Sequence, residues 1–132
     1  MAFQGTGRRG STVGGLTGAG AGLPFGFDPA SRDRMTGSEI RSLLVGHTIQ
    51  YRNLDDAGDT ATTVFATDGK ATLTKAGLTM DGYAVPDDQG ICIWWTKIME
   101  CAVIFRNPNG ARNKGDEFIW INEWSRWFFI VK

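Results

Sequence analysis

Three glycines near the start of the chain, Gly5, Gly7 and Gly10, spell the pattern G-x-G-x-x-G. In dinucleotide-binding folds this pattern joins a buried strand to a helix whose N-terminus holds the pyrophosphate. Only four residues precede Gly5, which is too few for that strand. The stretch after Gly10 contains Gly14 and Gly15, each of which disfavours a helix by about 1 kcal/mol. The pattern therefore indicates a glycine-rich arm, and no cofactor is expected.

The two cysteines, Cys92 and Cys101, lie in the stretch GICIWWTKIMEC. If the chain turns sharply at residues 96–97, the cysteines lie directly opposite one another, as do Trp94 and Met99. Opposed cysteines can be bridged with little rearrangement, and a bridge favours an oxidising compartment or an extracellular particle. Two buried free thiols are the alternative, and the C-x-x-C spacing of a redox-active pair is missing.

The other residues able to do chemistry form no catalytic or metal-binding set. His47 is the only histidine, has no clustered partner and is expected to be an ordinary junction residue. One acidic loop lacks EF-hand spacing, so a solvated turn is favoured over a calcium site; it carries Asn53, Asp55, Asp56 and Asp59. Nothing in the spacing pairs the carboxylates near strand ends for acid–base catalysis; these are Glu100, Asp116, Glu117 and Glu123. No catalytic residue and no metal site are predicted.

Composition narrows the classes of protein that the chain can belong to. The 132 residues suit one domain, and 14 basic residues balance 14 acidic ones. This balance lacks the one-signed charge of a nucleic-acid-binding domain, so no nucleic-acid partner is expected. No apolar run approaches the roughly 18 to 20 residues that a membrane-spanning helix needs, and no signal-peptide core is visible.

Residues 1–35 are predicted to form an extended arm. Nine of the 18 glycines fall in its first 26 positions, and all acidic residues lie at or after Asp28, which leaves the arm weakly positive. Glycine permits close backbone approach, and such segments become ordered when a partner holds them. The arm residues expected to make contacts are Arg8, Arg9, Leu23, Phe25 and Phe27.

A single domain is predicted from residue 36 to 132, and it begins with a helix at about 37–45. Thr36 and Glu39 have the spacing of a capping box, and Gly46 is a stop signal. From residue 48 on, short runs rich in threonine, valine and aromatic residues alternate with turn residues at intervals of about ten. This pattern predicts a mainly β fold, a small antiparallel barrel or sandwich. The predicted strands are 48–52, 61–66, 71–74, 82–85, 91–95, 101–105, 118–121 and 127–131.

The last four predicted strands are apolar at consecutive positions, so both of their faces are apolar. Because a small antiparallel domain has one core, the helix, the arm or another subunit must cover the second face. The excess of tryptophan near the C-terminus favours a partner interface. The residues expected in it are Trp120, Trp124, Trp127, Phe128 and Phe129.

Several short motifs lie between residues 36 and 106. They are a T-G-x-E-I-R-x-L-x-x-G helix starting at Thr36, a D-G turn at residues 68–69, a G-aromatic-x-V strand at residues 82–85, and two cysteines flanking Trp95. In these motifs the chain resembles small exported bacterial β-domains of unknown function. The resemblance implies a lipocalin-like or barrel-like body with a disulfide, and it implies no catalytic residues.

The function expected from these features is structural and not enzymatic. The chain is predicted to be a component or accessory subunit of a larger assembly, such as a virion, that docks on partner proteins through its arm and its tryptophan-rich face. The alternative is an exported monomeric barrel that binds a small apolar ligand or a carbohydrate in a tryptophan-lined pocket. A periplasmic, extracellular or virion location follows if the cysteines are bridged.

Overall fold

The computed structural model describes residues 23–108 and 117–132, and the strands there form a closed barrel. Within these residues the chain has a 3-10 turn at Pro24–Gly26 and one α-helix, α1 (Gly37–Leu44). The strands are β1 (Thr48–Asn53), β2 (Thr60–Phe65), β3 (Lys70–Lys75), β4 (Leu78–Pro86), β5 (Ile91–Trp95), β6 (Met99–Arg106), β7 (Phe118–Ile121) and β8 (Arg126–Val131). Each strand pairs antiparallel with the next, and β8 pairs with β1. The predicted mainly β fold is confirmed, as a barrel and not a sandwich.

Helix α1 closes one end of the barrel. The Thr36 side chain accepts a hydrogen bond from the Glu39 backbone, and the Glu39 carboxylate accepts one from the Thr36 backbone, which is the predicted capping box. The same Thr36 N–H lowers the pKa of the exposed Glu39 carboxyl, and Arg106 lowers it further. Ile40 and Leu44 are buried against the interior of the barrel. We call this end the closed end.

The opposite end carries the turns that join β1 to β2, β3 to β4, β5 to β6 and β7 to β8. No helix of the described residues covers it, because α1 packs at the other end. We call this end the open end. An eight-stranded barrel has an interior just wide enough to be filled by side chains or to hold one small ligand. The side chains near the open end therefore decide whether the interior is filled or has room for a ligand.

The outer face of β6 and β7 is covered by residues 23–35 of the same chain. The Phe27 ring lies 5.2 Å from the Phe105 ring, and the Met35 backbone N–H donates to the carbonyl of Ile104 at 2.8 Å. Leu23 joins this outer cluster against residues that are themselves buried. Consecutive residues 101–105 of β6 are accordingly all buried, which accounts for the apolar character of both faces. The cover is intramolecular in this part of the molecule.

Cys92 and Cys101 form a disulfide on the outside of the barrel, between β5 and β6. The register pairs Cys92 with Cys101 and Trp94 with Met99, as the sequence predicts. The hairpin turns at residues 96–97, where the Trp95 backbone N–H donates to the carbonyl of Ile98 at 2.8 Å. Of the two alternatives, a disulfide or two buried free thiols, the structure contains the disulfide.

Removal of the disulfide tests how much this hairpin relies on it. We expect the double variant Cys92→Ala with Cys101→Ala to fold with a free energy of unfolding lower by at most about 3 kcal/mol, because the bridge closes a short loop. Urea unfolding followed by tryptophan fluorescence measures the difference. A reductant should lower the midpoint of the parent protein and leave that of the double variant unchanged. Equal midpoints for parent and variant would contradict the expectation.

Gly37, the second residue of the helix motif, is required by the packing of α1 on the loop between β4 and β5. Its backbone N–H donates to the carbonyl of Asp88 at 2.8 Å, and a Cβ added to it would lie 1.4 Å from the carbonyl oxygen of Asp87. We expect Gly37→Ala to lower the free energy of unfolding by about 3 kcal/mol or more, because the backbone must move. The exposed Ser38→Ala is the matched control, and its unfolding midpoint should stay close to that of the parent.

Candidate functional site

A cavity of about 220 Å³ lies at the open end of the barrel. Its walls are mainly aromatic and aliphatic, and a few polar groups point into it. Ligand sites commonly combine apolar walls with a small number of placed polar groups. The lining residues are Tyr51, Ala61, Thr63, Leu73, Lys75, Met80, Trp95, Ile98, Glu100, Trp120, Asn122, Trp124, Ser125 and Trp127.

The Glu100 carboxylate is the polar centre of this cavity. Oε1 accepts a hydrogen bond from the indole N–H of Trp95 at 3.0 Å. Oε2 accepts from the indole N–H of Trp120 at 2.8 Å and from the side-chain amide of Asn122 at 2.7 Å. Glu100 is the acceptor in all three of these hydrogen bonds, which is the role of an ionised carboxylate.

The turn between β7 and β8 fixes the orientation of the Asn122 amide. Its Oδ1 accepts hydrogen bonds from the backbone N–H groups of Trp124 and Ser125, at 2.9 and 2.7 Å. Because these donors require an oxygen at that position, Nδ2 must be the atom that faces Glu100. The Ser125 hydroxyl in turn accepts from the indole N–H of Trp127 at 2.8 Å. Three indole rings of the cavity wall are therefore held by one connected hydrogen-bond network.

Gly82 leaves room for one of these rings. It lies opposite Trp95 in the pairing of β4 with β5. A Cβ added at Gly82 would stand 2.7 Å from Cε3 of the Trp95 ring and 2.5 Å from the carbonyl oxygen of Trp94. The glycine of the G-aromatic-x-V motif is thus explained by the close approach of the Trp95 indole, which lets that indole reach Glu100.

Tyr51 and Thr63 provide the other polar atoms deep in the cavity. The Tyr51 ring makes edge contacts with Trp120 and Trp127, at 5.5 and 6.2 Å between ring centres. Burial raises the pKa of Tyr51 well above its usual value, and the charge of Glu100 adds to the increase. The nearby Thr63 hydroxyl lowers the pKa of Tyr51. Its Oγ1 nevertheless makes no hydrogen bond of normal geometry to the described residues. Thr63 is fully buried, and its side chain is part of the cavity lining.

Four charged residues at the rim of the open end form two ion pairs. Lys75 Nζ lies 2.7 Å from Asp59 Oδ1 and 5.1 Å from the centre of the Trp127 ring. Its hydrogen bond lowers the pKa of the Asp59 carboxyl. Asp55 pairs with Arg126 at 2.8 Å. Two carboxylates of the acidic loop thus have cationic partners. The solvated turn favoured over a calcium site stays a prediction.

The structure separates the five aromatic residues that were predicted to form a partner interface. Trp120 and Phe129 are 1% and 0% exposed inside the barrel, so for these two the surface position expected from the sequence is wrong. Trp127 is half-buried and lines the cavity wall. Trp124 is 53% exposed at the rim, and Phe128 lies on the outside with the Arg52 guanidinium 5.1 Å above its ring.

The arm residues fall into two groups. Leu23 and Phe27 pack on the outer face of β6 and β7, and Phe25 is partly exposed with the Arg126 guanidinium 5.0 Å from its ring centre. Arg8 and Arg9, with the G-x-G-x-x-G pattern, lie outside the described residues. The expectation that a partner orders the arm stays a prediction for residues 1–22.

The sequence reasoning did not assign a site to Glu100, although a signal for it was present. The predicted cysteine pairing places Cys101 on one face of β6, so its neighbour Glu100 must face the other side, with Ala102 and Ile104. A glutamate on the core face beside a tryptophan-rich strand indicates a built polar site. Of the other carboxylates noted, Glu117 is exposed next to the closed end, and Asp116 lies outside the described residues.

No protein-family model, no curated protein and no solved structure matches this chain. The resemblance to exported bacterial β-domains therefore stays a prediction. Among the described residues, α1 is too short to cross a membrane, and no other helix qualifies. The same residues contain no cluster of three or more histidine, cysteine, aspartate or glutamate side chains suited to a metal ion. His47 is exposed between α1 and β1.

A glutamine at position 100 tests the hydrogen-bond network. We expect Glu100→Gln to lower the free energy of unfolding by about 1 to 3 kcal/mol, because its amide group would face indole or amide donors that then lose their acceptor. Near-ultraviolet circular dichroism should also change, since the network orients Trp95 and Trp120. The exposed Glu117→Gln is the control and should match the parent in both measurements. An unaltered spectrum and midpoint for Glu100→Gln would show that the network does not hold these rings.

Proposed function

We propose that this chain is a binding protein that takes up one small ligand with an apolar body through the open end of its barrel, without performing chemistry on it. The observation that carries this proposal is the cavity built around Glu100, with Trp95, Trp120 and Trp127 as its walls. Rings that are held in place before a ligand arrives lose little conformational freedom on binding, which favours affinity.

The size of the cavity limits the ligand. An apolar cavity of about 150 Å³ accommodates benzene, and the cavity here measures about 220 Å³. A single six-membered ring with a short substituent is therefore the size of ligand that fits. A larger depression of about 400 Å³ lies outside β1, β2 and β3, but exposed polar side chains form most of it.

The assembly function stays a prediction. Some of the aromatic residues expected in its interface lie inside the barrel instead. Trp120 and Phe129 belong to the interior, and residues 23–35 cover the second apolar face of β6 and β7. The exposed aromatic residues that could still contact a partner protein include Trp124 and Trp94. The disulfide is compatible with an oxidising location, and we propose that the chain functions after export.

A cavity-filling variant tests the proposed ligand site. We expect 2-phenylethanol to bind the parent protein and to quench or shift its tryptophan fluorescence. Leu73→Trp should weaken binding by about tenfold or more, because the larger side chain occupies the cavity that Leu73 lines. Val64→Trp is the matched control, since Val64 is exposed on the neighbouring strand, and it should bind like the parent. Isothermal titration calorimetry gives the affinities, and circular dichroism checks that each variant is folded.

Two results would contradict this expectation. If the parent protein binds no ring-sized probe, the cavity is not a binding site for apolar ligands. If Leu73→Trp is folded and binds as tightly as the parent, the ligand binds elsewhere. Binding of a methyl glycoside in place of 2-phenylethanol would favour the carbohydrate alternative.

A further inference from the structure

The hydrogen-bond partners of Glu100 leave its charge without a counter-ion. Two indole N–H groups and one amide N–H contact its oxygens, and all three donors are neutral. Among the described residues, the ion pairs link other carboxylates to lysine or arginine, and none of these pairs includes Glu100. A negative charge within a mainly apolar cavity is costly unless a positive group approaches it. The inference drawn from this rests on the proposed binding function.

Glu100 also keeps an unused acceptor position. A carboxylate offers about four lone-pair sites, two on each oxygen. From the described residues, Oε2 receives two hydrogen bonds, whereas Oε1 receives one, from Trp95. Since Glu100 lines the cavity, a ligand inside can donate to the remaining site on Oε1.

Thr63 supplies a second, independent acceptor in the same cavity. Its side chain is fully buried, lines the cavity, and has no hydrogen-bond partner for Oγ1 among the described residues. An unsatisfied buried hydroxyl costs free energy that a polar ligand atom can recover.

The aromatic walls add attraction for a positive charge. The faces of tryptophan and tyrosine rings attract cations, most strongly where water is excluded. Trp127 already contacts one cation in this way, the ammonium of Lys75 at 5.1 Å from the ring centre. Lys75 forms an ion pair with Asp59 at 2.7 Å, so its positive charge is neutralised. The sum of the charges of Lys75, Asp59 and Glu100 is therefore one negative charge.

We propose that the ligand is a protonated primary amine attached to an apolar group of about one ring. The ammonium group donates to Glu100 Oε1 and Thr63 Oγ1, and the apolar group packs against the cavity wall formed by Trp95, Trp120 and Leu73. The site then selects the amine over a neutral ligand of the same size by its charge, because the apolar wall packs equally well against both.

Three probes of similar size and different charge test this inference. They are 2-phenylethylamine, which is positive at pH 7, the neutral 2-phenylethanol and the negative 3-phenylpropanoate. We expect the amine to bind the full chain about tenfold or more tighter than the alcohol, as a charge-assisted hydrogen bond predicts. The carboxylate should bind the weakest, because Glu100 repels it. Calorimetric titrations at low and moderate salt give the three affinities.

Two variants identify the groups responsible. Glu100→Gln should reduce the affinity for the amine about tenfold and bring it close to that for the alcohol. Thr63→Val keeps the shape of the side chain, removes Oγ1 and should reduce amine affinity about threefold with little effect on the alcohol. If Glu100→Gln fails to fold, Thr63→Val and the comparison of probes on the parent protein still decide the outcome.

The failure of this inference differs from the failure of the proposed function. Equal binding of amine and alcohol by the parent, or tighter binding of the carboxylate, overturns the amine inference and leaves a binding site for apolar ligands. An amine preference that persists unchanged in folded Glu100→Gln also overturns it. Binding of none of the three probes overturns both the inference and the function on which it rests.

Discussion

The pairing of β8 with β1 is the constraint on which the rest of the structure depends. It runs from Ile49 opposite Val131 to Asn53 opposite Trp127, and it turns an open meander into a barrel without exposed edges. Closure also gives all inward side chains one shared interior. Helix α1 fills the closed end with aliphatic side chains, whereas aromatic rings line the open end without filling it. The cavity therefore exists because the barrel is closed and because side chains fill only one of its two ends.

Glu100 is the least expected residue of that interior. An apolar side chain at its position would pack without any need for donors, and an isolated buried charge is costly. The chain instead supplies two indoles and an amide as partners and uses Gly82 to let one indole approach. A fully connected polar network restricts the arrangement of the rings around it. The same residues thus explain both why the open end has a defined shape and why it keeps a negative charge.

Local patterns in the sequence were enough to predict the elements of this fold. The capping box at Thr36 marks the start of α1, each of the eight predicted strands overlaps an observed one, and the cysteine register is the predicted one. The facing of Trp120 and Phe129 was wrong, because consecutive apolar residues carry no alternation that distinguishes inside from outside. The cover provided by residues 23–35 involves contacts distant in sequence, which local patterns do not contain. Glu100 could have been found, since its facing follows from that of Cys101.

The up-and-down order of the strands has a consequence for how such a chain diverges during evolution. Each turn at the open end joins two strands that are already neighbours, so its length can change without altering any other pairing. The loop between β4 and β5 at the closed end has less freedom, because Gly37 of α1 lies against the backbone of Asp87 with no room for a Cβ. Insertions should therefore be tolerated better in the turns of the open end than in the loop between β4 and β5.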